Sequence, residues 1–196
     1  MVVKYFYALA LVAGTALTGS LHSATLQVGP GKTYTKPCAA ISAAAPSDTI
    51  LTDAAGNYSG DVCGWSTHGL TLRGVNGRPK IPAAGQNAGG KGIWVISGND
   101  TVVENIEFSG ATVPDANGAG IRFEGVNLTV RNCYFHHNQN GILTNNQQVG
   151  ELLVEYTEFG FKWRWVRPDP QHLCRKDRQI HPALQLFAMT PWWGIW

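Results

Sequence analysis

The chain has 196 residues, 44% hydrophobic and 14% charged, with 23 Gly and a formal net charge of +2. That length suits one domain, and the near-neutral balance leaves no electrostatic footprint for nucleic acid. Low charge with abundant Gly argues against a charge-rich helical protein and for a β-rich exported one.

Met1–Ser23 reads as a secretory signal peptide, with Lys4 as the positive segment, Phe6–Ala13 as the apolar centre and small residues around Ser20–Ser23. The apolar run is too short to span a bilayer comfortably. Cleavage after Ser23 or Ala24 is expected, which leaves no membrane span and a secreted or periplasmic product; an uncleaved anchor is the alternative. Export licenses disulfides. Of the four Cys, Cys38 and Cys63 flank the start of the patterned region and are read as partners. No Cys-x-x-Cys spacing occurs, so zinc lacks its usual signal.

Lys36–Pro46 is Ala-rich, with Ile41 its one large apolar residue, and is read as a short helix capping an open end. Asp48–Thr52 is the first expected strand and Leu70–Arg73 the next, with turns at Gly56–Tyr58 and Gly77–Pro79. Pro82–Gly92 and Ser109–Gly120 loop out, and long excursions of a repeat gather on one face. They are expected to edge any ligand site. Asn57, Asn99 and Asn127 begin glycosylation sequons.

Between Thr101 and Phe159 one pattern is written three times, at Thr101–Phe108, Leu128–Phe135 and Leu152–Phe159. Val103, Val130 and Val154 share one column; Ile106, Cys133 and Thr157 share a second; Phe108, Phe135 and Phe159 share a third. In that second column Cys133 reads as a small buried hydrophobe. The internal period is two, the strand signature. A second strand type lies between the copies, at Gly92–Ile96, Gly120–Phe123 and Gly141–Thr144. Repetition at roughly 20–30 residues marks a solenoid, in which coil stacked on coil makes one core. Asn105 and Asn132 share the slot before the bend, where a ladder of side-chain amides is expected; Tyr156 interrupts it and Gly74 precedes it.

Val130-Arg-Asn-Cys-Tyr-Phe-His-His-Asn-Gln-Asn-Gly-Ile142 carries a resemblance, as a strand, an Asn turn, a second strand, a His/Asn bend and Gly-Ile. It resembles the coil of the right-handed parallel β-helix proteins, the pectate-lyase-like superfamily. Gly29–Tyr34, Asp48–Ile50 and Tyr58 look like the usual opening of that fold. The expected fold is therefore all-β: a right-handed parallel β-helix over 24–160, with a short N-terminal capping helix and an irregular C-terminal tail.

That tail, 161–196, changes texture: it holds Trp163, Trp165, Trp192, Trp193 and Trp196, and the alternation stops. A membrane-facing or carbohydrate-stacking tail is one kind of reading. The preferred one is a frame-shifted translation of further coils. Read one base out of register from Lys162, the Trp codons become Gly codons, and a Gly-, Ser- and Asn-rich turn followed by a strand is permitted. On this reading the coil is truncated after roughly four turns, and catalytic machinery is lost with it.

The resemblance implies polysaccharide chemistry. Lyases of the superfamily abstract a proton α to a uronate carboxyl with a basic side chain, often with Ca²⁺ held by Asp or Glu. Its hydrolases use clustered Asp, which this chain lacks. A lyase site needs a base and an electrophilic stabiliser near one sugar. Arg131, His136 and His137 are the candidate catalytic residues, with His137 and His136 at a bend where one must face solvent. The competing reading makes His136, His137 and Asn138 partners of turn backbone, and Glu104, Glu107 and Arg131 cross-strand charge pairs. Two functions stay open: a monomeric secreted protein acting on or binding polysaccharide, lyase-like if catalytic and inactive if truncated, or a non-catalytic glycan-binding, adhesive or cell-surface structural β-solenoid.

Overall fold

The computed structural model of the chain describes residues 23–145 and 150–160. The expected signal peptide, except for Ser23, lies outside the described residues, as do Cys174 and the whole 161–196 tail. Three parallel sheets wrap one core. Sheet 1 stacks β1 (Thr25–Val28), β2 (Thr49–Asp53), β4 (Thr71–Val75), β7 (Thr101–Glu104), β10 (Leu128–Arg131) and β13 (Leu152–Glu155) in that order. Sheet 2 stacks β5 (Lys80–Pro82), β8 (Glu107–Ser109), β11 (Tyr134–His136) and β14 (Glu158–Gly160). Sheet 3 stacks β3 (Cys63–Trp65), β6 (Gly92–Ile96), β9 (Ala119–Phe123) and β12 (Asn140–Thr144).

The three repeat columns are vertical files. Val130 is the Cα partner of both Val103 and Val154, and Phe135 of both Phe108 and Phe159. Alternation turns Val103, Val130, Phe108 and Phe135 inward to full or nearly full burial, with Ile106 and Cys133 at the intervening bends. The Phe135 ring stacks on Phe108 at 5.0 Å and on Phe159 at 5.2 Å, while Phe108 meets Trp94 edge-on at 4.9 Å and Trp94 meets Trp65 at 5.5 Å. An aromatic file thus runs along the coil axis, and each ring buries against the next.

Each eight-residue copy is two strands rather than one. The break falls at Asn105, Asn132 and Tyr156, with φ of 55°, 53° and 50°. Asn tolerates this left-handed region best among residues with a side chain, which explains the shared slot. The expected amide-to-amide ladder is not what holds it: Asn105 Nδ2 donates to the carbonyl oxygens of Gly74, at 3.0 Å, and Gly77, at 2.7 Å. A rung-to-rung ladder stands at another corner, between sheets 3 and 1. There Asn99 N donates to His68 Nδ1 at 2.9 Å, Val126 N to Asn99 Oδ1 at 3.0 Å and Glu151 N to Asn127 Oδ1 at 3.0 Å.

Sheet 1 also starts one rung earlier than expected, with β1 in register on β2. Buried Asp48 fixes that rung: its Oδ1 accepts from Ala24 N at 2.7 Å and its Oδ2 from Ala45 N at 2.8 Å. The expected cap is α1 (Pro37–Ala43), which starts on Pro37 and buries Pro37, Ala40 and Ile41 against the first rungs. The Cys38–Cys63 disulfide ties it to β3, with Cα atoms 5.8 Å apart.

Both long excursions join sheet 2 to sheet 3, so they share a corner. The third coil turns the same corner in 137–139, where buried Asn138 and Gln139 clamp the loop beside it. Gln139 Oε1 accepts from Val113 N at 2.9 Å and Gly118 N at 2.6 Å, while Asn138 Oδ1 accepts from Ala111 N at 2.8 Å and its Nδ2 donates to Phe108 O at 3.0 Å.

Candidate functional site

The outer face of sheet 2 carries the densest mix of aromatic, imidazole and carboxylate groups beside the shared corner. Register places Lys80, Glu107, Tyr134 and Glu158 in one vertical row, one per coil. His136 follows two residues after Tyr134 and so projects from the same face. Its Nε2 lies 3.0 Å from Glu107 Oε1. An ionised carboxylate only accepts, so His136 donates through Nε2, and in the neutral imidazole this leaves the lone pair on Nδ1. Lys80 Nζ stands 3.8 Å from the same Glu107 oxygen.

The Tyr134 ring stacks on the His136 ring at 4.4 Å, with 28° between planes. Burial, then the Glu158 and Glu107 charges, push the Tyr134 hydroxyl above its ordinary pKa, so Tyr134 stays a neutral donor. Glu158 is in turn 3.3 Å from Arg78 Nη1. At the bend, His137 has φ of 53° and its Nδ1 approaches His136 Nδ1 to 2.7 Å. The two His are therefore brought together, and Glu107 and Tyr134 join them. Those partners are 29 residues and two residues from His136; the Lys80–Glu107–Tyr134–Glu158 row, seen only once the coils are aligned, is the signal that finds them.

Arg131 is placed elsewhere. It sits on sheet 1, before the Asn132 turn, whereas the His pair follows that turn on sheet 2. Its Nε lies 2.6 Å from Glu155 Oε2 and its Nη1 3.6 Å from Glu104 Oε1, and Glu104 also holds Arg73 at 2.6 Å. Arg73, Glu104, Arg131 and Glu155 thus form an alternating charge ladder over four coils. Hydrogen bonding to Glu155 raises the Arg131 pKa further, the opposite of the change that makes a proton-abstracting base. The cross-strand reading fits Glu104 with Arg131; Glu107 instead pairs with His136 and Lys80.

A third cluster flanks the loops. Lys91 Nζ and Arg122 Nε approach Glu124 Oε1 to 2.6 and 3.3 Å. Burial alone would raise the Glu124 pKa, but hydrogen bonds and charge from Lys91 and then Arg122 outweigh it and hold the carboxyl below its ordinary value. Ca²⁺, implied by the resemblance, needs six to eight oxygen ligands. Glu104, Glu107, Glu124, Glu155 and Glu158 each pair with Arg, Lys or His. Among the described residues no group of three or more His, Cys, Asp or Glu could hold a metal, so that donor set does not fit Ca²⁺. Cys133 is buried, which pushes its thiol up to about 12. No helix among the described residues is long and apolar enough to cross a membrane.

Three stacked parallel sheets around one apolar file define a parallel β-solenoid. A family model described as the right handed beta helix region matches residues 62–158, about half of the chain. The chain is a right-handed parallel β-helix protein, of a class that is carbohydrate-related or structural. No curated protein and no solved structure matches it.

Proposed function

We propose that the chain is an exported polysaccharide-binding β-solenoid, monomeric, whose ligand lies along the outer face of sheet 2. The observation that carries this is the Tyr134–His136 stack, oriented by Glu107. Sugar rings present an apolar face to an aromatic ring and hydroxyls to planar carboxylates and imidazoles, and Tyr134, His136 and Glu107 supply these on one wall. The repeat of about 4.8 Å between rungs carries such contacts from coil to coil. The Cys38–Cys63 pair supports an oxidising compartment.

A second reading is favoured by one detail of the same wall. An imidazole held by a carboxylate, with its other nitrogen unprotonated, is the form of a general base. His136 Nδ1 would take the proton α to a uronate carboxyl, with Lys80 or Arg78 giving up its carboxylate partner to the substrate. His137 belongs to that reading as the neighbour of Nδ1, and Arg131 as a flanking cation on the adjoining sheet. The frame-shifted tail is part of the same proposal: further coils lost with the frame leave this chain a binder without turnover. The nucleotide sequence, read one base out of register from Lys162, tests it; absence of a Gly- and Asn-rich turn and strand there overturns it.

The main experiment is calorimetric titration against a panel of neutral and acidic polysaccharides, with Tyr134→Ala and Glu107→Gln in parallel. Binding by the wild type that falls about tenfold or more in both variants is expected. Equal binding by all three proteins overturns the site. A parallel absorbance screen for unsaturated uronate product separates the lyase reading from simple binding.

A further inference from the structure

Of the three glycosylation sequons, two are absorbed by the coil and one faces out. Asn57–Ser59 lies between β2 and β3, outside any strand. Tyr58 anchors it from within: its side chain is buried and its hydroxyl donates to Asp53 O at 2.6 Å. Asn57 and Ser59, on either side of that anchor, are both exposed. Asn57 Oδ1 accepts from Ser59 N at 3.1 Å, the side-chain turn that bends the first residue of a triplet back towards the third. Asn57 Nδ2 has no hydrogen-bond partner among the described residues. The backbone beside it is held, since Ser59 O accepts from Lys36 Nζ at 3.2 Å and Gly60 N donates to Pro82 O at 2.9 Å.

We propose that Asn57, alone of the three, is an attachment site for an N-linked glycan, delivered from a lipid-diphosphate-linked oligosaccharide. The inference goes beyond the wall of sheet 2 and takes from the proposed function only export, because the Asn-x-Ser/Thr triplet is an acceptor on surface loops of exported chains. In the transfer, Asn57 Nδ2 bonds to C1 of the first sugar. The bond from C1 to the diphosphate oxygen breaks, and the lipid diphosphate leaves with the electron pair. One Nδ2 proton passes to a carboxylate of the transferase, and no group is oxidised or reduced. The turn suits this step: the amide nitrogen is unpartnered, the Ser59 side chain is open to the transferase, and the backbone is already bent.

The other two sequons lack these features. After Asn99 the third residue is Thr101, which is 1% exposed and donates through Oγ1 to Gly98 O at 3.5 Å. Asn99 Oδ1 is itself held by Val126 N at 3.0 Å. Asn127 is exposed, but both ends of its amide are taken: Oδ1 accepts from Glu151 N at 3.0 Å and Nδ2 donates to Asp100 Oδ1 at 2.8 Å. Its third residue, Thr129, is paired with Val102 on one side and Leu153 on the other. Presenting either triplet to an enzyme requires rungs of sheet 1 to part, whereas presenting Asn57 breaks no strand pairing.

The test is glycan transfer in vitro to the purified, folded full chain, by an oligosaccharyltransferase that takes Asn-x-Ser/Thr triplets, with a lipid-diphosphate-linked chitobiose donor. No export step is involved, so failure counts against Asn57 and leaves the export reading standing. Free peptides spanning each sequon set the rate for an unhindered triplet, and peptide mass spectrometry reads occupancy at each Asn. Asn57 is expected to fill within about tenfold of its peptide's rate, and Asn99 and Asn127 more than about tenfold below theirs, since both wait on local opening of the coil. Ser59→Ala keeps the backbone N–H that forms the turn but removes the hydroxyl, and abolishes transfer; Ser59→Thr retains it. Asn57 filling more slowly than that limit, or Asn99 or Asn127 filling within it, overturns the proposal. Circular dichroism of each variant confirms that the coil is retained.

Discussion

Gly74 and Asn105 are locked across one rung. Asn105 Nδ2 donates to Gly74 O at 3.0 Å, and a Cβ on Gly74 would stand 2.0 Å from Asn105 O and 2.4 Å from Pro79 Cδ. Neither neighbour can swing away, since one is backbone and the other a ring closed on backbone. Gly74→Ala is therefore expected to cost about 1–3 kcal/mol, read as a lower urea midpoint at unchanged slope. An unchanged midpoint would mean that these coils do not approach so closely.

The aromatic file gives a larger effect. Phe135 is buried between Phe108 and Phe159 and touches both rings face to face. Phe135→Ala opens a cavity in the middle of the stack and is expected to lose about 3–5 kcal/mol. Phe135→Leu retains most of the volume and should lose less. Thermal unfolding of the two variants orders them, and a reversed order would place Phe135 outside the core.

Acid should release the loop-flanking cluster. Glu124 has a folded pKa below its ordinary 4.5 because Lys91 and Arg122 outweigh its burial. A depressed carboxylate stabilises the fold fully above its unfolded pKa, and that contribution disappears as pH falls through the folded value. The stability gap between wild type and Glu124→Gln is thus expected to be up to about 1 kcal/mol, constant above about pH 5.5, and to close on acidification. Denaturant midpoints of both proteins from pH 3 to 7 check it. A gap that widens in acid would contradict the pairing.

The cysteines separate by chemistry. Cys38 and Cys63 close a sequence separation of 25 residues, and replacing both with Ser is expected to cost about 3 kcal/mol. Cys133, with its thiol pushed up to about 12 by burial, should resist alkylation in the native protein and react once urea unfolds it. Mass spectrometry of labelled peptides reads both states, and native labelling of Cys133 would contradict its inward column.

The parts of this fold legible in the sequence were those with a column to read. Val103, Val130 and Val154 announced themselves because identical residues recur at one slot of an alternating pattern. The capping helix, the loop corner and the Cys38–Cys63 pair followed from composition and order. Thr25–Val28 does alternate, with Leu26 and Val28 turned inward and Thr25 and Gln27 exposed, but four residues beside the expected cleavage point are too few to stand out as a strand. Lys80–Pro82 and Cys63–Trp65 are three residues each, too short to show a period. The repeated Asn of the Asn105 slot suggests an amide ladder, yet backbone conformation accounts for the shared position, and φ is not written in side-chain spelling. At the site, His136 and His137 are adjacent in sequence, but the 29 residues between Glu107 and His136 become 3.0 Å only after loop lengths have set the register. The same rung arithmetic sent Arg131 to another sheet.

In-register stacking underlies all of these expectations, and paired cysteines on the outer face test it most directly. Val102 and Thr129 are outward Cα partners on adjacent rungs. Parallel neighbours lie about 4.8 Å apart, within disulfide reach, whereas a partner two residues along lies about 8 Å away, beyond it. Mild oxidation should cross-link Val102→Cys with Thr129→Cys in high yield, mapped by mass spectrometry, and leave Val102→Cys with Arg131→Cys reduced. Equal or greater cross-linking of the offset pair would contradict the register on which the coil, the wall of Tyr134 and His136, and the histidine bend all rest.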